Sequence, residues 1–154
     1  MESDPEDEDI TGEEAPIRIL VTEDDPGDSL FLREVLSASF DQGQFPSFDM
    51  IIKDTMKNSL EFLKFQRPDL IILDLTLPDC RGFETFQSVH YMVPNSPIVV
   101  MTSDEREELG LRSVRAGAQD YLIKGQIDPK ALPRTLRFAV ERQKIRNKTI
   151  KYEL

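Results

Sequence analysis

The sequence predicts an α/β fold in which a five-stranded parallel sheet carries helices on both faces, with an extended helix at the C-terminal end. Three observations support this prediction. Five short apolar runs alternate with stretches of helical periodicity. The first, third and fourth runs are almost entirely apolar, as in strands that are covered on both faces. The length of 154 residues suits one domain with a substantial core.

The predicted strands are short runs that end at charged or turn-forming residues. The first, IRILVT, runs into an acidic cluster, and the third, DLIILDL, is strongly hydrophobic but carries an aspartate near its end. The five strands are predicted at 17–22, 48–53, 69–75, 97–102 and 119–124.

Helical periodicity fills the segments between these strands. Apolar residues recur three and four positions apart, and Gly117 is placed to end the fourth helix. A long fifth helix is predicted from about Pro129. The predicted caps are Asp28 or Ser29 for the first helix, Asp54 or Thr55 for the second, and Ser103 or Asp104 for the fourth.

Charge is distributed unevenly along the chain, whose net charge is −10. Residues 1–15 carry eight acids and no base, which predicts a disordered tail, with an acidic arm touching a basic partner as the alternative. The central segment is also acidic, so nucleic-acid binding is not expected of the globular part. We expect this part at 16–142, followed by a helical extension or linker at 143–154.

The apolar and cysteine content predicts a cytoplasmic protein. No apolar run approaches the roughly 20 residues that a membrane span needs, so no membrane association is expected. Cys80 is the only cysteine, so an intrachain disulfide cannot form, and a reducing compartment is expected.

Carboxylate, hydroxyl and amine side chains lie at the ends of four of the predicted strands. Glu23 and Asp24 follow the first strand, Asp74 ends the third, Thr102 ends the fourth and Lys124 ends the fifth. The carboxyl ends of parallel strands share one edge, where such folds bind their ligands. We therefore expect these side chains to converge on one rim.

The chemistry of that rim favours a metal ion and a phosphoryl group. Carboxylates within a few Å of one another repel, and a cation relieves that repulsion. Mg²⁺ prefers such oxygen ligands. A carboxylate beside Mg²⁺ can attack phosphorus and become an aspartyl phosphate, while a lysine neutralises the phosphoryl oxygens.

Four stretches of the sequence resemble bacterial two-component receiver domains over residues 16–142. They read ILVTEDDPGDS, PDLIILDLTLPDCRG, PIVVMTS and AGAQDYLIKG, and they occur in the family's order and spacing. The resemblance implies a flavodoxin-like, doubly wound sheet with strand order 2-1-3-4-5.

The resemblance also implies a role for each residue of the rim. Asp74 would be the phosphoacceptor and a metal ligand, Asp24 a direct ligand, and Glu23 a ligand acting largely through water. Thr76 would offer its backbone carbonyl to the Mg²⁺. Lys124 would bind a phosphoryl oxygen.

Two further residues would form the switch. Thr102 would bond the phosphoryl group as the switch hydroxyl, and Tyr121 occupies the family's aromatic switch position. Two departures are notable: Gly125 replaces the usual proline after the lysine, and the loop LPDCRG lacks the commoner methionine pattern.

The implied function is phosphorelay signalling rather than enzymatic turnover. A histidine kinase or a histidine phosphotransfer protein would supply the phosphoryl group. Phosphorylation would reshape the face of helix 4, strand 5 and helix 5 for an output domain or a homodimer. Only self-phosphorylation from a phosphodonor and slow self-dephosphorylation would be catalysed.

Other readings of the same residues stay open. The chain could be a phosphatase of the haloacid-dehalogenase type, although that family places a second acid where Thr76 stands, or a degenerate receiver that only binds proteins. Glu23 and Asp24 could be a helix-capping pair.

His90 is expected to be structural, and Cys80 is expected to have no chemical role. Phe138, Ile145 and Tyr152, each seven apart, hint at a coiled-coil seam.

Overall fold

A five-stranded parallel sheet organises the chain, as the sequence predicts. The computed structural model describes residues 15–153, apart from the side chains of 104 and 151–153, so the predicted tail lies outside the described residues except at Ala15. The strand order is β2-β1-β3-β4-β5, and all pairings are parallel. The strands are β1 (Ile17–Thr22), β2 (Phe48–Lys53), β3 (Leu70–Asp74), β4 (Ile98–Thr102) and β5 (Asp120–Ile123).

Five helices connect and follow these strands. They are α1 (Pro26–Asp41), α2 (Met56–Leu63), α3 (Phe83–Met92), α4 (Glu107–Arg115) and α5 (Leu132–Glu153), with a 3-10 turn at Asp104–Arg106. The fifth helix begins a little later than predicted, after a turn in which Asp128 accepts a hydrogen bond from the amide of Lys130 at 2.9 Å. No helix in the described part of the chain has both the length and the apolar composition needed to cross a membrane.

The apolar core forms two layers, one on each face of the sheet. Neighbouring residues of one strand point to opposite faces, which separates Ile19 and Val21 from Leu20. Ile19 and Val21 pack with Leu32 of α1 and Leu136 of α5. Leu20 belongs to the other layer, which includes side chains of α2 and α3 such as Met56, Leu63, Phe86 and Val89. The nearly continuous apolar runs in β1, β3 and β4 follow from this burial on both faces.

Of the three predicted helix caps, two are wrong and one is confirmed. The first helix is capped by Asp25, which accepts from the amide of Gly27 at 2.8 Å, and not by Asp28 or Ser29. The reason is Pro26, whose fixed φ and missing N–H suit the first helical position. Thr55 caps α2 through the amide of Asn58, at 3.0 Å, as predicted.

The fourth helix begins later than its predicted cap. Ser103 precedes the 3-10 turn and makes no capping side-chain hydrogen bond there, and Arg106 stands before α4 at φ −124° and ψ 28°, outside helical geometry. This break keeps the Arg106 carbonyl available to a neighbour, and the Thr102 hydroxyl donates to it at 3.0 Å.

The long C-terminal helix stays in contact with the body beyond Arg142. Gln143 is buried and accepts from the side-chain amide of Gln119 at 3.0 Å. One turn later, Asn147 donates from its side chain to the carbonyl of Asn95 at 3.1 Å. The first turns of the predicted extension therefore contact the segments that precede β5 and β4.

Candidate functional site

The acidic centre of the site is formed at the ends of two adjacent central strands. Glu23 follows β1 and Asp74 ends β3, and each is only 2% exposed. The Glu23 amide donates to the Lys53 carbonyl at 2.9 Å, which carries the β1–β2 pairing one residue past the strand. Together with the exposed Asp24, these residues each place a carboxylate oxygen within 4.8 Å of the others. The predicted convergence of Glu23, Asp24 and Asp74 is confirmed.

Lys124 lies among these carboxylates. Its amide donates to the Thr102 carbonyl at 2.9 Å, which fixes the residue at the end of β5. The ammonium lies 2.7 Å from Asp74 Oδ2, 2.6 Å from Glu23 Oε1 and 3.1 Å from Asp28 Oδ2. One cation therefore contacts three acids, of which two are buried.

The buried charges perturb each other's ionisation. Burial, followed by the hydrogen bond with Asp74, raises the pKa of Glu23 to about 8, although the nearby ammonium opposes the shift. Burial by itself lowers the pKa of Lys124, but the contacts with Asp74 and Glu23 more than reverse this and raise it. The cluster thus holds more carboxylates than a single lysine neutralises, which disfavours the charged form of Glu23.

The donor set could hold a metal ion. Glu23 Oε1 is buried and, although it lies close to the ammonium, it lacks an aligned hydrogen-bond partner among the described residues. A buried carboxylate oxygen is costly unless a cation or a hydrogen-bond donor lies beside it, and here the Lys124 ammonium takes that place at 2.6 Å. Three carboxylates clustered around one ammonium also suit a hard divalent cation that prefers oxygen ligands.

The loop after β3 orients the Asp74 carboxylate. The Thr76 amide donates to Asp74 Oδ1 at 2.9 Å, so the two Asp74 oxygens are bound to different partners. Leu75 and Leu77 are buried and anchor the loop, whereas the Thr76 side chain is exposed. Thr76 thus contacts the site through its backbone, and the metal-binding role of its carbonyl stays a prediction.

The two predicted switch residues are bound to the segment that precedes and includes α4. Thr102 is 1% exposed, and its hydroxyl donates to the Arg106 carbonyl. The Tyr121 hydroxyl donates to Glu107 Oε1 at 2.9 Å, and its ring lies over Gly110, where an added Cβ would come within 2.8 Å of ring atoms. Both side chains are therefore joined to one segment, 106–110.

The departure at Gly125 has a conformational explanation. Gly125 has φ +83°, and no cis peptide bond occurs among the described residues, so the bond after Lys124 is trans. Proline cannot reach a positive φ because its ring fixes φ near −65°. Glycine at this position thus permits a turn that proline would prevent.

Two residues with long-range roles were not predicted from the sequence. Asp28, expected to be a cap, instead contacts Lys124, and its position four residues after Asp24 is the only sequence signal for that. Asp79 accepts hydrogen bonds from the amides of Met56 and Lys57, more than twenty residues away. No local pattern could have indicated that pairing.

His90 and Cys80 lie in packed surroundings. The His90 ring stacks on Phe86, with centroids 5.1 Å apart and an interplanar angle of 17°, as expected for a structural residue. Cys80 accepts a weak hydrogen bond from the Thr85 hydroxyl at 3.6 Å.

Sequence comparisons identify relatives of this arrangement. The sequence profile described as "Response regulator receiver domain" matches residues 19–137. The chain is 31% identical over 115 residues to two-component response regulator ORR1 of Oryza sativa subsp. japonica, covering 70% of the chain and 48% of ORR1. It is 35% identical over 136 residues to transcriptional regulatory protein CitB of Klebsiella pneumoniae, covering 85% of the chain and 54% of CitB. The chain thus spans about half the length of these relatives.

Solved structures share the fold. A CheY-like response regulator receiver domain protein from Methanospirillum hungatei JF-1 superimposes with a TM-score of 0.72 at 22% identity, covering 86% of this chain and 99% of that one. The signal receiver domain of a LuxO repressor protein from Vibrio parahaemolyticus gives 0.72 at 21% identity, covering 88% and 98%. At these identities the likeness concerns the fold alone.

Proposed function

The chain belongs to the response regulator receiver domain family, and from that premise we propose that it is a phosphorelay switch that accepts a phosphoryl group on Asp74. A histidine kinase or a histidine phosphotransfer protein would be the donor, within the cytoplasm. The observation that carries the proposal is the buried Asp74 carboxylate at a strand end, with Lys124 Nζ 2.7 Å away and two further acids beside it.

The acidic cluster is the proposed Mg²⁺ site. Glu23, Asp24 and Asp74 would hold the ion together with the Thr76 carbonyl, and the proximity of the three carboxylates supports this assignment. When bound, Mg²⁺ would neutralise charge on the oxygens of the transferring phosphoryl group.

The proposed transfer exchanges one bond to phosphorus for another. An Asp74 carboxylate oxygen forms a bond to the phosphorus of a phosphohistidine, and the phosphorus–nitrogen bond breaks. The leaving imidazole nitrogen keeps the bonding electron pair and takes a proton from solvent. Lys124 exchanges its contact with Asp74 Oδ2 for a phosphoryl oxygen, while the Thr76 amide orients the attacking carboxylate.

Access to Lys124 is available from one side. A cavity of about 300 Å³ lies beside it, and its lining includes Phe31, Met101, Gly125 and Ile127. A cavity of this size can admit a small ring next to Lys124, between α1 and the loop after β5, but Asp74 is not among its lining residues.

The phosphorylated state would differ in the contacts of Thr102. To reach a phosphoryl oxygen, its hydroxyl must leave the Arg106 carbonyl, which loosens the 3-10 turn before α4. Tyr121 would then move from Glu107 and reshape the face of α4, β5 and α5 for an output domain or a homodimer. Shifting the ratio of active to inactive conformers from 1:99 to 99:1 requires about 5.5 kcal/mol of differential stabilisation. A few charge-assisted hydrogen bonds could supply that energy.

The family assignment does not favour the phosphatase alternative. In the receiver reading, the protein signals by its phosphorylated state and does not turn over a substrate pool. Rapid, repeated hydrolysis of small phosphate esters would revive the phosphatase, whereas failure to take up phosphate would favour a degenerate receiver.

Labelling by a small phosphodonor tests the proposal. Wild-type protein with acetyl phosphate and Mg²⁺ should gain the mass of one phosphoryl group, and Asp74→Asn should not. Asp69→Asn is the matched control, since Asp69 immediately precedes the same strand and accepts the Arg18 amide at 2.8 Å. Labelling that persists in Asp74→Asn would refute the assignment.

A further inference from the structure

The loop that follows Asp74 is attached to the N-terminus of α2 by Asp79. Its two carboxylate oxygens accept one backbone amide each, from Met56 at 2.8 Å and from Lys57 at 3.0 Å. These amides belong to the first helical turn, where N–H groups have no partner within the helix. The same helix has an ordinary local cap, because Thr55 accepts from Asn58. Two independent caps therefore serve α2, and one of them belongs to the phosphoacceptor loop.

The charge of Asp79 suits this position. The hydrogen bonds from the backbone amides of Lys57 and Met56 lower the pKa of Asp79, so its carboxylate stays ionised. A negative charge at a helix N-terminus is also stabilised by the helix dipole. The attachment of the loop to α2 is therefore a charge-assisted contact with two bonds.

The attachment is close to the phosphoacceptor along the chain. Asp79 lies within a tight turn, closed by the Leu77 amide donating to the Cys80 carbonyl at 3.0 Å. Three residues before Asp79, Thr76 donates its amide to Asp74 Oδ1. A displacement of the turn would thus change the donor that orients the Asp74 carboxylate.

The same helix also contacts the strand that leads to the acid pair. The Ser59 hydroxyl lies 2.8 Å from the Thr22 hydroxyl, and both side chains are buried. Thr22 is the last residue of β1 and immediately precedes Glu23. Helix α2 therefore contacts both chain segments that supply carboxylates to the cluster.

We propose that Asp79 is a positioning residue of the phosphoacceptor site, which holds the Thr76 loop against α2 and so sets the orientation of Asp74 and the affinity for Mg²⁺. This inference rests on the proposed function. Asp79 itself does not touch the phosphoryl group or the metal ion in this account. Its effect is exerted through the backbone of Thr76.

The two caps of α2 provide a matched pair of variants. Asp79→Ala and Thr55→Ala each remove one cap from the same helix, so both should lower the melting temperature. Only Asp79→Ala should also weaken Mg²⁺ binding, on the order of tenfold, as is usual when a ligand loses its supporting contact. Titration calorimetry with Mg²⁺ alone measures this affinity, and Asp79→Asn, which keeps one acceptor oxygen, should fall between wild type and Asp79→Ala.

A second readout does not depend on the metal ion. Amide hydrogen exchange of Thr76 in metal-free protein should be faster in Asp79→Ala and unchanged in Thr55→Ala. If Asp79→Ala changes neither the exchange nor the affinity, or if Thr55→Ala changes both equally, Asp79 is merely a helix cap and the inference is overturned. If wild-type protein does not bind Mg²⁺, the proposed metal site fails, while Thr76 exchange still decides the positioning role of Asp79.

Discussion

Lys124 Nζ lies 2.7 Å from Asp74 Oδ2, so the proposed phosphoacceptor carries its counter-charge before any phosphate arrives. The same ammonium is 2.6 Å from Glu23 Oε1, although Lys124 and Glu23 follow strands that are not adjacent in the sheet. This contact joins the two ends of the site, and the same ammonium lies against an Asp74 side chain that is only 2% exposed.

Removing the ammonium should impair both stability and phosphorylation. Lys124→Met leaves the buried Asp74 carboxylate without its charged partner, which we expect to cost about 1–3 kcal/mol of unfolding free energy. The rate of labelling by acetyl phosphate should fall at least about tenfold, since no residue would neutralise the incoming oxygens. Urea unfolding and timed labelling measure the two effects.

A surface lysine serves as the control for that substitution. Lys64 pairs with Glu61 at 3.0 Å, and both side chains are more than half exposed. Such pairs contribute little, so Lys64→Met should change the unfolding free energy by less than about 0.5 kcal/mol. Equal effects at Lys64 and Lys124 would contradict the importance of the buried contact.

Mg²⁺ should stabilise the folded protein through Asp24. A ligand that binds only the native state adds about 2.7 kcal/mol when its concentration is 100 times its Kd. Asp24→Asn should lose this stabilisation but unfold like wild type when EDTA is present, because Asp24 is exposed. Asp49→Asn, a change at another exposed acid, should respond to Mg²⁺ like wild type in the same thermal melts. A full Mg²⁺ response in Asp24→Asn would exclude Asp24 as a ligand.

Gly110 should be intolerant of alanine although it lies within a helix. Replacing a helical glycine by alanine usually gains up to about 1 kcal/mol. Here the new methyl group would come within 2.8 Å of the Tyr121 ring, so Gly110→Ala should lower stability and displace that ring. Thermal melts and the ring NMR signals of Tyr121 test this prediction.

A nearby exposed position separates steric from helical effects. Glu108→Ala changes a side chain in the first turn of α4 whose exposed contact with Arg115 spans 3.4 Å. It should leave the Tyr121 signals unmoved. Should Gly110→Ala prove more stable than wild type with unchanged Tyr121 signals, the packing of Tyr121 on α4 would be incorrect.

Stability should depend on pH through His90. Burial, followed by the charge of Arg146, lowers the pKa of His90 below its usual value in the folded state. The folded protein thus binds a proton at His90 less tightly than the unfolded chain does. The resulting contribution to the free energy of unfolding is complete above about pH 6.5 and declines as the pH falls below it. Urea unfolding at pH 7.5 and 5.5 should show that the free energy of unfolding falls less between these pH values in His90→Phe than in wild type. An identical loss in both proteins would show that His90 is not the titrating group.

The sequence was sufficient to predict the strands of the sheet and the convergence of the rim residues. Strands β1 and β2 have their predicted limits, because each apolar run is bounded by charged or turn-forming residues. Strands β3, β4 and β5 lose one residue at one or both predicted ends. Since strand ends in a parallel sheet share an edge, this accuracy sufficed to bring Glu23, Asp24, Asp74 and Lys124 together.

Contacts between distant segments could not be predicted in this way. The first cap was misassigned because several adjacent acids suit that role, and only the backbone at Pro26 selects Asp25. The pairing of Asp79 with α2 and that of Thr102 with the Arg106 carbonyl depend on how loops fold back. No periodicity encodes such contacts, since the loops are not regular structures.

Locating the phosphoryl group on the chain tests the central claim most directly. Acyl phosphates are reduced by borohydride to alcohols, so an aspartyl phosphate becomes homoserine, which peptide mass spectrometry can locate. Wild-type protein treated with acetyl phosphate, Mg²⁺ and then borohydride should contain homoserine at position 74 alone. Reduction at Asp24 or at another acid, or an unlabelled chain, would contradict the account.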